Sequence, residues 1–74
     1  MTAEEWIADF ARAANGAPPN ETETGKLLKL AAVAAHSSER VAAPLACWIA
    51  GREGLDLDEA IALAERIGGD GKPG

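Results

Sequence analysis

Pro44, set within Val41-Ala42-Ala43-Pro44-Leu45-Ala46-Cys47-Trp48-Ile49-Ala50, limits what this chain can fold into more than any other residue. Proline lacks a backbone N–H and fixes φ. It suits the first turn of a helix, where that N–H is unpaired anyway, and costs about 3 kcal/mol in the interior. The alanine-rich run before it, Leu30 to Ala35, therefore cannot continue through it as one straight helix. The polar insertion His36-Ser37-Ser38-Glu39-Arg40 becomes a corner, predicted within residues 37–43. Pro18-Pro19 separates an earlier segment in the same way, and glycines at 51 and 54 and at 68 and 69 separate a later one.

Four segments follow, each with helical periodicity. The first is predicted over 3–14. Thr2 and Glu5 have the spacing of a capping box, and Ala3, Trp6, Ile7, Phe10, Ala13 and Ala14 form one apolar stripe. Asn15-Gly16 closes it and opens a linker over 15–22. The second is predicted over 23–37, capped by Thr22 or Thr24. Leu27, Leu28, Leu30, Ala31, Ala34 and Ala35 face inward, and Lys26 and Lys29 lie on the outer side. Its many alanines allow close approach of helix axes, which places it at the centre of the bundle. The third, over 43–50, presents Leu45, Trp48 and Ile49 on one face. The fourth, over 57–67, is capped by Asp56 with Glu59, buries Leu57, Ala60, Ile61, Ala64 and Ile67, and ends at Gly68-Gly69.

The expected fold class is all-α, a compact bundle of about four short helices. It forms a single domain over 1–68 with a disordered tail over 69–74. A chain of 74 residues encloses one small core and no more. Large apolar side chains are few, and domains of this size often gain stability from a partner.

A formal net charge of −5 disfavours nucleic acid, since affinity for a polyanion rests on lysine and arginine neutralising phosphates. The same charge disfavours an anionic membrane surface, and no apolar run reaches the roughly 18 residues of a membrane span. The opening Met1-Thr2-Ala3-Glu4-Glu5-Trp6 has neither the basic nor the apolar region of a secretion signal. A single cysteine, Cys47, permits no internal disulfide. Together these predict a cytoplasmic location.

The central stretch carries a family resemblance. Ala35-His36-x-x-Glu39-Arg40-x-Ala42-Ala43-Pro44-Leu45-x-x-Trp48-Ile49-x-Gly51 resembles the central motif of a small actinobacterial domain of unknown function. That domain occurs alone or at the C-terminus of molybdenum-cofactor guanylyltransferase, the molybdopterin-guanine dinucleotide biosynthesis protein A family. The likeness extends to the acidic-Trp opening helix and to the Leu55-Asp56-x-x-Glu59-Ala60 start of the last one. It implies an accessory role near molybdenum-cofactor assembly. The transferase itself is a much larger α/β domain with a glycine-rich phosphate loop, so guanylyl transfer by this chain is not expected.

Two readings of the corner stand side by side. Projected at roughly 100° per residue, His36 falls nearly opposite the Leu27/Ala31/Ala34 stripe and faces water or a partner. As structure, the insertion is a turn: a histidine favoured by the helix dipole, serines suited to the bend, and Glu39 and Arg40 able to pair or cap. As function, His36, Glu39, Arg40 and Trp48 form an interaction or ligand patch where two helix ends meet.

No catalytic set is expected. His36-x-x-Glu39-Arg40 differs from a zinc-protease motif by putting a cation where the second imidazole is needed, so no metal is predicted. Gly25-Lys26 lacks the first glycine and the following hydroxyl of a phosphate loop. Cys47, mid-helix among alanines, reads as an inert small side chain. No cofactor is implied. Trp6 and Trp48 lie on core stripes, and either one, if it reaches the surface, would anchor another protein.

The expected function is a non-catalytic accessory or protein-interaction domain. Its partner is a molybdenum-cofactor guanylyltransferase or a second copy of itself. The alternative is an acyl-carrier-like acidic four-helix protein, with Ser37 or Ser38 at a possible helix start but without the Asp-Ser-Leu attachment motif.

Overall fold

The computed structural model describes residues 1–69, and the remainder of the expected tail, 70–74, lies outside the described residues. Four helices follow in order: α1 (Ala3–Ala13), α2 (Glu21–Ser37), α3 (Ala42–Arg52) and α4 (Leu57–Ala64), the last continued by a π-helical turn, Glu65–Gly69. The architecture is all-α, with no strand among the described residues.

Local chemistry explains where each helix begins and ends. The Thr2 hydroxyl accepts the Glu5 N–H at 3.1 Å while the Glu5 carboxylate accepts the Thr2 N–H at 2.9 Å, the reciprocal capping box predicted for α1. Closure of α1 rests on Asn15 at φ 64, with Gly16 N–H donating to the Ala11 carbonyl at 2.8 Å and Asn15 N–H to Arg12 at 3.0 Å. That pair of bonds is a Schellman cap, and it puts the left-handed residue at the asparagine, not at the adjacent glycine. In α2 the cap is Asn20, two residues ahead of the nearer threonine expected there. Its side chain accepts the Glu23 N–H at 2.7 Å, and the Glu23 carboxylate accepts the Asn20 N–H at 2.8 Å. Asparagine is among the strongest capping residues, and here it has a glutamate three positions on, so helix formation starts earlier and the linker shortens to 14–20.

Helices α2 and α3 are separate, broken at residues 38–41, inside the predicted corner. Pro44 is the third residue of α3, where its missing N–H leaves no hydrogen bond unmade. At the other end α3 runs through Gly51 to Arg52, and Gly54 at φ 65 turns the chain so that Leu55 N–H reaches the Ala50 carbonyl at 3.0 Å. Asp56 then caps α4, its carboxylate accepting the Glu59 N–H at 3.1 Å. Gly68 and Gly69 do not stop an α-helix at that point: α4 gives way at Ala64 to the wider π turn, which includes both glycines.

Helix α2 is the axis of the molecule, as its alanines predict, with α3, α4 and the π turn laid against it. Helix α1 has no comparable packing partner. The buried core is Leu30, Ala50, Ala60 and Ile61, joined by the partly buried Ala46, Cys47, Leu55 and Ala64. Leu30 and Ile61 are its bulky members, each stabilising the fold by roughly 1.5–3 kcal/mol through burial. Lys26 does not stay on the outer side as expected: its ammonium reaches Asp58 at 2.9 Å and ties the start of α2 to the start of α4. That contact, by hydrogen bond first and charge second, raises the Lys26 pKa.

Several residues expected inside are outside. No residue of α1 is buried, and Trp6 and Phe10 are 53% and 59% exposed. In α3 the inward face is Ala46, Cys47 and Ala50, which turns Leu45, Trp48 and Ile49 outward. Leu28 and Ile67 are exposed as well. The cause is steric: α3 lays its small residues Ala46, Cys47 and Ala50 on the core, and its bulky residues, like those of α1, then have no facing element to meet.

Candidate functional site

The corner between α2 and α3 is built by backbone bonds. Ser37 closes α2 by donating its hydroxyl to the Val33 carbonyl at 2.6 Å, and the Ser38 N–H reaches Ala34 at 3.2 Å. Ala42 and Ala43 donate to the Glu39 and Arg40 carbonyls at 2.9 and 3.1 Å, which makes the step into α3. Neither serine starts a helix: Ser37 is the last residue of α2 and Ser38 follows it. His36, Glu39 and Arg40 are all exposed. The pairing or capping envisaged for Glu39 and Arg40 does not form, since the ion pairs among the described residues are Arg12–Asp9 and Lys26–Asp58. The corner holds three polar side chains near one another in sequence without hydrogen bonds joining them.

Trp48 belongs to a different arrangement. Its ring is 60% exposed and carries the Arg52 guanidinium 5.0 Å above its centroid, a cation–π contact one helical turn further along α3. On α1, Trp6 and Phe10 stack with ring centroids 5.3 Å apart and planes inclined by 14°. Both pairs were legible as i, i+4 neighbours, but nothing in the spacing indicated that their outer faces stay open. The surface therefore has two organised aromatic patches, Trp6/Phe10 on α1 and Trp48/Arg52 on α3, the second extended by Val41, Leu45 and Ile49.

Two hollows flank Pro18-Pro19. One, of about 560 Å³, lies between α1 and α2 and is lined by Ala3, Ile7, Leu27 and Leu28, with Glu4 and Thr24 as its polar residues. The other, of about 580 Å³, opens between the linker and the end of α3, beside Glu23, Leu27, Ala50, Gly51 and Leu55. A small-molecule site needs a few polar groups converging on one point, and these walls do not supply a nucleophile with a base.

The other candidates are equally plain. Cys47 is half-buried, its thiol directed to the Leu27 carbonyl at 3.8 Å, and burial pushes its pKa up, away from the reactive thiolate. Among the described residues no group of three or more His, Cys, Asp or Glu side chains lies close enough to hold a metal ion. No helix among them is long and apolar enough to cross a membrane.

Comparison with curated proteins and with solved structures yields no match to either. A family model does match, over residues 1–68, which include all four helices and all but the last residue of the π turn. On that extent of similarity the chain belongs to the family described as Domain of unknown function (DUF6457).

Proposed function

We propose that this chain is a non-catalytic protein-interaction module whose working surface is the pair of exposed aromatic patches on α1 and α3. One observation carries the reading: the protein leaves Trp6, Phe10, Leu45, Trp48 and Ile49 in the open while its buried core holds only Leu30, Ala50, Ala60 and Ile61. Contiguous exposed apolar area on a small domain marks contact with another macromolecule, and Trp and Arg are the residues on which binding energy concentrates. His36, Glu39 and Arg40 form a polar margin at the start of α3 that can add specificity.

The resemblance noted above supplies the candidate for a partner protein, a molybdenum-cofactor guanylyltransferase, with the module acting as an accessory to it inside the cell. The carrier alternative has less support, because Ser37 is held to the Val33 carbonyl at the end of α2, not presented at the start of a helix. The test is retention of the guanylyltransferase on the immobilised domain, together with light scattering of the free domain. Capture that is lost in Arg40→Ala, with an unchanged melting temperature, supports the reading. A strict monomer that captures nothing overturns it.

A further inference from the structure

We infer that α1 has a second position: it rolls about its own axis onto α2, closing the hollow between them and covering Trp6 and Phe10. The roll regulates the α1 patch proposed above as a recognition surface, and in that part it rests on the interaction reading. Its motive is a mismatch between the apolar stripe of α1 and the side this helix turns inward. The wall that α1 gives to the hollow is Ala3, Glu4 and Ile7, and its half-buried residues are Ala8 and Ala11. Trp6 and Phe10 are absent from that wall and stack on each other beside it, more than half exposed. At roughly 100° per residue, Phe10 stands about 60° and Trp6 about 100° from Ile7 on one side, whereas Glu4 stands about 60° away on the other.

A roll of about 80° therefore exchanges the two flanks. Trp6 and Phe10 come to face Leu27 and Leu28, with Ala3 kept beside them, and Glu4 swings from an apolar hollow into water. Leu28, 66% exposed on the opposite wall, gains a partner. Space is available, because the hollow holds about 560 Å³ and its remaining walls are Pro18, Pro19 and Thr24. Little holds α1 where it lies. Among the described residues, no hydrogen bond or ion pair joins residues 1–19 to residues 20–69. Both ends of α1 are closed by its own neighbours in sequence, through the Thr2/Glu5 box and the Asn15-Gly16 cap, so the helix keeps its hydrogen bonds as it turns. The linker over 14–20 contains two prolines, which have no N–H with which to fix its path. Apolar burial draws the rings inward and a bound partner draws them outward, so the two positions form an equilibrium that a partner shifts.

Nuclear magnetic resonance of the full chain tests the roll. Through-space contacts between the Trp6 and Phe10 rings and the Leu27 and Leu28 methyls are expected, with microsecond-to-millisecond exchange shared by those residues and absent at Leu30. Leu28→Asp puts a charge on the floor of the closed position, and it is expected to remove both signals while leaving α2, α3 and α4 unchanged. The same variant is expected to bind the guanylyltransferase more tightly by the inverse of the open fraction, about twofold for equal populations. If Leu28→Asp loses its helical signal, the contacts in the unaltered chain decide. Rings that touch neither leucine, or exchange that persists in Leu28→Asp, overturn the roll. Binding no tighter in that variant overturns its regulatory role. Closure in a chain that captures nothing overturns the interaction reading alone, and capture by a chain that never closes overturns the roll alone.

Discussion

Helices α1 and α4 start alike and finish differently. Each follows a capping residue whose side chain accepts an N–H three positions on, and each carries two acidic residues in its first turn. Yet α4, with eight residues, buries Ala60 and Ile61, whereas α1, with 11 residues and a cleaner division between polar and apolar faces, buries none. Capping and amphipathicity decide that a segment is a helix. Only a facing element decides whether its apolar side enters a core. In α4 that element is α2, whereas α1 has no comparable packing partner among the described residues.

Substitutions can break or sharpen this contrast. The largest effect is expected where the two core helices meet. Leu30 is 3% exposed, and Leu30→Ala should cost about 2–5 kcal/mol in urea unfolding, close to the whole stability of so small a domain. Two positions earlier in the same helix, Leu28→Ala should stay within about 0.5 kcal/mol, since that side chain is exposed. Equal losses at both sites would mean that the outer face of α2 is covered in solution.

Ala50→Leu comes next, at about 1–3 kcal/mol, because Ala50 is 3% exposed and the added atoms enter the packed Leu30/Ala60/Ile61 core. Recovery of wild-type stability in that variant would show a roomier α2–α3 contact than described. The caps discriminate more finely. Asp56→Ala should lower global unfolding stability by about 1 kcal/mol, as α4 belongs to the cooperative core. Thr2→Ala removes the equivalent bond but should appear as local fraying of α1 in hydrogen exchange, with the melting midpoint of dilute protein nearly unchanged. A shared drop in midpoint would place α1 inside the cooperative unit.

The smallest effect concerns Lys26 and Asp58. Because the folded-state pKa of Lys26 lies above its ordinary 10.5, the contact stabilises below about that pH and its contribution fades as pH rises through the higher folded value. Lys26→Met should therefore melt slightly below the unaltered chain at neutral pH and converge with it in strong alkali. A gap that persists there would indicate lost aliphatic contact in place of lost charge.

Much of this was readable from residues because it is local. Thr2/Glu5, Asp56/Glu59 and Pro44 each act within one turn, so their helices begin where the spacing predicts. Asn20-x-x-Glu23 carries the same reciprocal signal as Thr2-x-x-Glu5, and the glutamate three positions on decides the cap in favour of Asn20 over Thr22 and Thr24. Which faces end up covered was not readable. A stripe such as Trp6-Ile7-Phe10 reports that water is unfavourable on one side, but not which surface excludes it. The same blindness hid the outward turn of Trp48, since Ala46, Cys47 and Ala50 offered α3 an equally apolar and narrower face. At the corner, His36, Glu39 and Arg40 are all exposed, as the projection of His36 away from the Leu27/Ala31/Ala34 stripe anticipates for the histidine.

The side of α3 that faces the core is made of short side chains, Ala46, Cys47 and Ala50. Side chains so short hold that helix against the Leu30/Ile61 core with almost no tolerance, so the position of the bulky residues on its outer side is set by a ruler the length of a few carbon atoms. Any change that thickens this joint would move Trp48 relative to the rest of the molecule without touching it, and an outward-facing recognition surface would lose its gauge while every helix remained intact.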